Sequence, residues 1–375
     1  MSDRLHIVCL DAPAPPNYGG AIDMYYKIVA LAAAGKKITL HYFDYKKDRN
    51  AQALEPYCTA IHAYPRKGFI GPGFFSQPFI VRSRINEELI GRLNGDEDPV
   101  LLEGLHCSGL LPRLKNTARA VLRMHNEEAA YYRRLVPTEQ SFLKKLYLAQ
   151  ESRLLHRHYQ RLPKDLSLAC LAQTDMEVLQ KDYGFTNLHF IPCFIPWQEP
   201  GMKTDRGTYC LYHGNLAVPE NEAAALWLID EVWPALDKPL VIAGNNPSPR
   251  LVHRCAGHPH VKLETNPSLQ RIDELVQEAQ LHVLPSMNST GVKLKLLHAL
   301  FRGRHCITNG PGIEGSGIVS GVSIANEAGQ WKQAVIRLFA QPFTEEDKKN
   351  RGQLLAVYDN SLNADRLSAL WSHCR

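Results

Sequence analysis

Apolar runs of strand length alternate with segments of helical period along this chain, and the alternation occurs twice. In the first half Leu5–Cys9, Ile38–Phe43, Val100–Leu102, Ala120–Met124, Leu166–Leu171 and His189–Ile191 read as strands, with helices expected over Ala21–Ala34, Phe142–Gln160 and Asp175–Asp182. In the second half the strands are Cys210–His213, Leu240–Ala243, Val261–Leu263, Leu281–Leu284, Cys306–Thr308 and Val322–Ala325, and the helices Glu220–Trp227, Ser268–Ala279, Val292–Phe301 and Glu327–Ala340. Parallel strands need long crossovers, and helices supply them, so each half is expected to form an α/β domain with a doubly wound parallel sheet. At 375 residues the chain also exceeds the size at which one core keeps growing.

The periodic pattern lapses between Pro192 and Gly207, where prolines and glycines replace regularly spaced apolar residues. The expected division is therefore 1–195 and 196–354, with the helical-looking segment 355–375 packing back on the first domain. A ligand is expected in the cleft between the two domains, outside the carboxyl ends of both sheets.

Composition removes several function classes. A net charge of +5 is too slight for a nucleic-acid partner and suits an anionic small molecule or a membrane surface better. No run approaches the roughly 18 apolar residues of a membrane span, and Asp3 and His6 interrupt the N-terminus where a secretory signal would be apolar. A cytoplasmic protein is expected, with peripheral contact at the inner membrane face open to it. The nine cysteines are scattered without a Cys-x-x-Cys pair, which argues against disulfides and zinc. Walker, zincin and nucleophile-elbow motifs are lacking in the sequence.

The most informative stretch runs from Leu284 to Gly317. A strand end, a turn of small residues, Lys293 and Lys295 at a helix start, and the loop Gly310–Gly317 would aim backbone N–H groups, a helix terminus and ammonium groups at one spot, as a diphosphate requires. Gly214 and Asn215 after one strand, and Gly244 and Asn245 after the next, would let a nucleotide lie against the main chain. Gly19 and Gly20 stand at a βα turn, equally readable as dihedral necessities. Glu103, His106, His125, Asn126 and Glu127 follow strands, so they are candidates to touch substrate. Asn126 also reads as a helix cap. The pattern Gly310-x-Gly-x-x-Gly315 is rejected as a nicotinamide site because a glycine- and serine-rich segment, and no helix, is expected after it.

Four segments carry a resemblance that spans nearly the whole chain: Pro15–Ala21; Arg123-Met-His-Asn-Glu-Glu128 with Tyr131–Arg134; His213–Asn221 followed by Glu231-Val-Trp-Pro234; and Gly291–Leu300. In order and spacing the chain resembles the GT-B glycosyltransferases of the retaining family-4 type, the glycosyl transferases group 1. The resemblance implies two Rossmann-like domains facing across a cleft. It also implies transfer of a sugar, with retention, from a nucleotide diphosphate sugar to a glycan or lipid-linked acceptor, by a hexosyltransferase of polysaccharide biosynthesis. No cofactor or metal is expected, since lysine and helix termini hold the diphosphate in such proteins.

By this resemblance Lys295 contacts the diphosphate, Gly19 and Gly20 face the donor phosphates and acceptor, and Glu314 with Gly315 lies near the donor. Lys295, His298 and His125 are the candidates for the chemistry. Gly214, Asn215, Gly244, Asn245, Thr290, Gly291, Lys293, Glu314 and Gly315 are the candidates for donor binding, and Gly19, Gly20, Glu103, His106, Asn126 and Glu127 for acceptor binding. The family's two glutamates, eight positions apart, are replaced here by Thr290 and His298. Neither restores the carboxylate, so a nucleotide-sugar-binding homologue without activity, or an epimerase of the same fold, stands beside the transferase reading. The loop Arg66–Phe75 and the basic helix Phe142–Gln160 are read first as surface, with membrane contact as the alternative.

Overall fold

The computed structural model describes residues 2–68, 76–139, 141–288, 291–318 and 320–371. Two compact units emerge: Met1–Pro196 together with Tyr358–Arg375, and Trp197–Val357. The first unit is built on a parallel sheet whose order is β3-β2-β1-β4-β5-β6-β7, comprising β1 Arg4–Cys9, β2 Lys37–Asp44, β3 Cys58–Pro65, β4 Val100–Glu103, β5 Ala120–Met124, β6 Ser167–Cys170 and β7 Leu188–Phe190. The second carries β10-β9-β8-β11-β12-β13, comprising β8 Cys210–His213, β9 Leu240–Gly244, β10 Val261–Thr265, β11 Leu281–Leu284, β12 His305–Thr308 and β13 Ser323–Ile324.

Both faces of the first sheet are covered, and successive residues of a strand serve opposite cores. Leu101 and Val121 pack with Met24, Ile28 and Leu31 of the helix Gly19–Ala33, whereas Val100, Leu102 and Leu122 pack with Leu110, Leu155 and Tyr159 on the other side. Such double coverage explains why the strands read as continuous apolar runs rather than alternating ones. The helix Asn360–Ala369 returns to the first unit, where Ala364 and Leu367 join the same core as the helix Gly19–Ala33.

In each sheet the chain order reverses once, between β1 and β4 and between β8 and β11. Loops leaving these neighbouring strands part to opposite sides, and ligands of open α/β sheets bind at the resulting notch. Two expectations are revised. β3 is a strand that the apolar pattern did not reveal, because as an edge strand it is only partly buried. The third expected helix of the second half begins at Leu294, with Lys293 as its N-cap, so only Lys295 lies inside the first turn.

Candidate functional site

In the first unit the notch is occupied by a buried charged network. Asp23 and Lys27, one turn apart on the inward face of the helix Gly19–Ala33, form a 2.7 Å pair. Lys27 also reaches Glu103 at the end of β4, at 2.8 Å, and Arg123 of β5 clasps Asp23 through Nη2 at 2.9 Å and Nε at 3.2 Å. All four side chains are fully buried. Burial alone would raise both acids, but Arg123 and Lys27 outweigh it at Asp23, and Lys27 with His125 outweighs it at Glu103, so both carboxyls are held below their ordinary range.

This network positions His125. Its Nε2 donates to Glu103 Oε2 at 2.9 Å, which directs Nδ1 the other way, toward Gly20. A β-carbon on Gly20 would stand 3.3 Å from that nitrogen and 3.1 Å from the Tyr18 ring. Gly20 and His125 thus meet at one place, and Gly19 begins the helix whose N-terminus faces it. Glu103 lies behind His125 with no exposed surface, so it acts here as the residue that orients the ring.

The remaining first-unit candidates are placed differently. Glu127, not Asn126, caps the helix Glu128–Thr138, accepting from Ala129 and Ala130, and it also takes the Tyr183 hydroxyl at 2.9 Å. Its carboxylate is therefore committed within the protein. Asn126 bonds Glu128, whose carboxyl is pushed up to about 8 by burial and by Glu127 and Asp175. His106 is half-buried beside Gly104; desolvation, followed by Arg84, keeps its ring well below the ordinary histidine range, and its Nδ1 has no hydrogen-bond partner.

In the second unit Lys295 turns inward. Its ammonium donates to Asn221 Oδ1 at 2.8 Å and to the Tyr212 hydroxyl at 3.1 Å. The Asn221 amide in turn donates to the Asn215 carbonyl at 2.9 Å and lies against Gly214. Asn221 therefore links the lysine to the loop after β8. Burial, then Lys293, lowers the Lys295 ammonium to about 8. Lys293 donates to the Gly291 carbonyl at 3.3 Å, and Gly291 itself sits at φ 64°, a conformation that favours glycine. Thr290 lies outside the described residues.

His298 is buried on the same helix, its Nε2 3.0 Å from Asp273 Oδ1 and its ring stacked on Trp197 at 4.4 Å. Burial outweighs Asp273 and lowers this imidazole as well. His213 stands edge-on to it at 5.6 Å.

Two glycine expectations change. Gly244 and Gly214 meet each other: a β-carbon on Gly244 would lie 1.9 Å from the Gly214 carbonyl oxygen. The N–H of Gly214 donates to the Ala243 carbonyl at 3.1 Å, so that amide is committed within the protein. Gly244→Ala is expected to destabilise the second unit by about 2–3 kcal/mol through this backbone clash, measurable as a lower urea midpoint. Asn215 and Asn245 remain exposed at the strand ends. The loop after β12 also keeps its amides to itself: Gly310 donates to Asn326 and Gly312 to Asn309, and a short helix forms over Gly310–Ile313. Glu314 follows it, exposed, before Gly315 at φ 76°.

Asp23, Glu103 and His125 place three ligand atoms within 4.8 Å of one another. Lys27 and Arg123 already supply the positive charge there, so this set does not fit a divalent ion.

Asp23, Lys27, Asp273 and Trp197 were not singled out by sequence, and Arg123 and Asn221 stood only at the ends of resembling segments, without a role. The first two carried a legible signal, an acid and a lysine at i, i+4 on an otherwise apolar helix face. Among the described residues no helix is long and apolar enough to cross a membrane.

Residues 207–341 match the family described as Glycosyl transferases group 1. The chain is 27% identical over 348 residues to an uncharacterized 44.6 kDa protein in the cps region of Klebsiella pneumoniae, covering 86% of this chain and 88% of that protein. Among solved structures, the sucrose-phosphate synthase of Thermosynechococcus elongatus is similar with a TM-score of 0.71 at 13% identity, over 98% of each chain. HepE of Anabaena, solved in complex with UDP and glucose, is similar with a TM-score of 0.64 at 10% identity, over 98% of this chain and 99% of that one. The likeness to these structures shows two Rossmann-like parallel sheets of the GT-B fold, and the stretch matching glycosyl transferases group 1 contains the Lys295 site.

Proposed function

We propose that the protein transfers a hexose, with retention, from a nucleotide diphosphate sugar to a glycan or lipid-linked acceptor, in the biosynthesis of a polysaccharide. The observation that carries this reading is Lys295, held at a helix N-terminus against the loop Gly214–Asn215 by Asn221. The first amides of that helix have no carbonyl within it to bind. Together with the ammonium they suit a diphosphate whose charge grows as the sugar leaves. Support also comes from a relative encoded in a cps region and from a neighbour of the same fold solved with UDP and glucose.

In this reading His125 and Gly20 border the acceptor and the sugar, while Trp197 and His298 lie near the nucleoside. Lysine and amides hold the diphosphate without a divalent ion. A binding protein without turnover is the second reading, favoured by the commitment of His298 Nε2 to Asp273 at the position where the resemblance places a glutamate.

A panel of UDP-, GDP- and ADP-sugars tests both. One nucleotide class should raise the melting midpoint, and its sugar should appear in product with the donor's anomeric configuration by NMR, at a rate unaffected by chelator. An inverted product refutes retention; binding without turnover selects the second reading; a rate restored only by magnesium refutes metal independence.

A further inference from the structure

A second charged surface lies in the first unit, at the carboxyl ends of β1, β2 and β3. Tyr18 and Tyr45, each 37% exposed, carry four cations between them. Lys46 Nζ stands 5.2 Å from the Tyr18 ring centre and 5.4 Å from that of Tyr45. Arg49 lies 4.8 Å from Tyr18, and Arg66 and Arg84 lie 4.7 and 5.5 Å from Tyr45.

Asp11 is their direct carboxylate partner, while Glu151 and Glu128 act on Arg66 and Arg84 from farther off. Asp11 is 2.6 Å from Lys46 and 3.5 Å from Arg49; among the described residues, Arg66 and Arg84 have no acid at ion-pair distance.

The deeper cations are fixed in place. Arg84, 2% exposed, donates to the carbonyls of Leu10 and Ile80, both at 2.8 Å, and to the Tyr45 hydroxyl at 3.3 Å. Arg49, 6% exposed, donates to Ala12 and Asn17 and retains a buried Nη2 without a partner. Lys46 has a 42% exposed side chain, and half-buried Arg66 donates through Nε to Ser83 Oγ at 3.1 Å and lies 4.5 Å from the Phe79 ring centre. Burial, then Arg84, lowers the Arg66 guanidinium below its ordinary range. The cluster repels itself, and an arriving anion would relieve that cost.

We propose that this surface binds a phosphate ester, which in the transfer reaction is a phosphate carried by the acceptor. The identification with the acceptor rests on the sugar-transfer reading; the anion site itself does not. Asp11 pairs with Lys46 and Arg49, which leaves Arg66 and Arg84 without a carboxylate at ion-pair distance among the described residues. A phosphate ester brings up to about two negative charges and three acceptor oxygens. Arginines sharing tyrosine faces keep their N–H edges available for such oxygens. The diphosphate of the donor has its own candidate site at Lys295 in the other unit.

The test uses the full chain in a Lys295→Ala background, so that the second unit's site does not contribute. Glycerol 3-phosphate is titrated by calorimetry, and vesicles of phosphatidylglycerol and phosphatidylcholine are used for co-sedimentation. Saturable binding is expected, weakened tenfold or more by Lys46→Gln with Arg66→Gln and unchanged by the control pair Lys348→Gln with Lys349→Gln. The exposed Lys46→Gln alone should still weaken it at least threefold if the double variant fails to fold.

Glycerol 3-phosphate binding without vesicle binding assigns an acceptor phosphate free of the bilayer. Vesicle binding that the same double variant abolishes assigns a lipid headgroup phosphate. Binding of neither probe, or binding undiminished in Lys46→Gln, overturns the proposal. Nucleotide binding by the unaltered protein, measured separately, would then still uphold the donor site.

Discussion

Asp23→Ala is expected to destabilise the first unit by about 3–5 kcal/mol, because it leaves two buried cations facing each other without their shared anion. Arg123 and Lys27 both pair with this carboxylate, at 2.9 and 2.7 Å, and none of the three side chains reaches solvent. The Phe194 amide, which donates to the same carboxylate at 2.8 Å, is stranded as well. Hydrogen exchange in β1, β4 and β5 should accelerate together, while strands of the second unit keep their protection. The pH dependence has a definite sign. Burial opposes ionisation of Asp23 but Arg123 and Lys27 prevail, so its folded-state pKa lies below the ordinary value of 3.8. Its stabilisation is therefore complete above that value and is lost as the pH falls through the folded-state pKa. The deficit of Asp23→Ala relative to the parent should be full at pH 7 and should shrink in acid. A deficit that does not change with pH would mean that the alanine acts by leaving a cavity and not by removing charge. Asp23→Ala combined with Arg123→Met should recover much of the loss, since the guanidinium left unpaired is removed while Lys27 keeps its pair with Glu103.

What could be read from sequence follows from how local each signal is. The parallel strands were legible because burial on both faces makes them continuous apolar runs, and the glycine pair at the first βα turn marked the notch before His125 was known to face it. β3 was hidden because its edge position leaves residues such as Thr59 and Ala63 exposed, diluting the pattern. The charged network was hidden for a different reason: Asp23, Glu103 and Arg123 are far apart in sequence, and only the sheet order brings β4 and β5 beside the helix Gly19–Ala33. Glycines were the least transparent. Gly20 lies beside a candidate catalytic ring, Gly244 accommodates another backbone, and Gly312 fits under Thr308, yet all three stand at a strand end or at the start of the helix that comes after a strand. The difference lies in what approaches the missing β-carbon, which no short-range pattern encodes.

Lys295→Ala is expected to lower transfer about a hundredfold with little change in the fold, the magnitude typical of losing one well-placed donor to a developing negative charge. The lysine's internal partners are a neutral amide and a phenol, Asn221 and Tyr212, so its charge is not balanced by a carboxylate in direct contact. A lysine serving only as structure would be expected to pair with an acid; this one is left electrostatically unsatisfied beside an open helix terminus. Burial and Lys293 lower it to about 8, with Glu220 opposing them weakly. Because this folded-state value lies below the ordinary lysine range, the free protein begins to lose the charge just above neutral pH. Donor affinity should then fall as the pH rises through about 8, by up to about tenfold for each further unit. Lys295→Arg, which stays protonated throughout, should flatten that decline even where its longer, planar head lowers the rate at pH 7. Removing the second lysine shifts the midpoint in a direction set by the same physics: Lys293→Gln relieves the repulsion, so the decline should move to higher pH. Steady-state kinetics from pH 6.5 to about 9.5 would read all three effects. A wild-type profile that stays level across this range, together with an unimpaired Lys295→Ala rate, would detach the lysine from the diphosphate and with it the donor site proposed for the second unit.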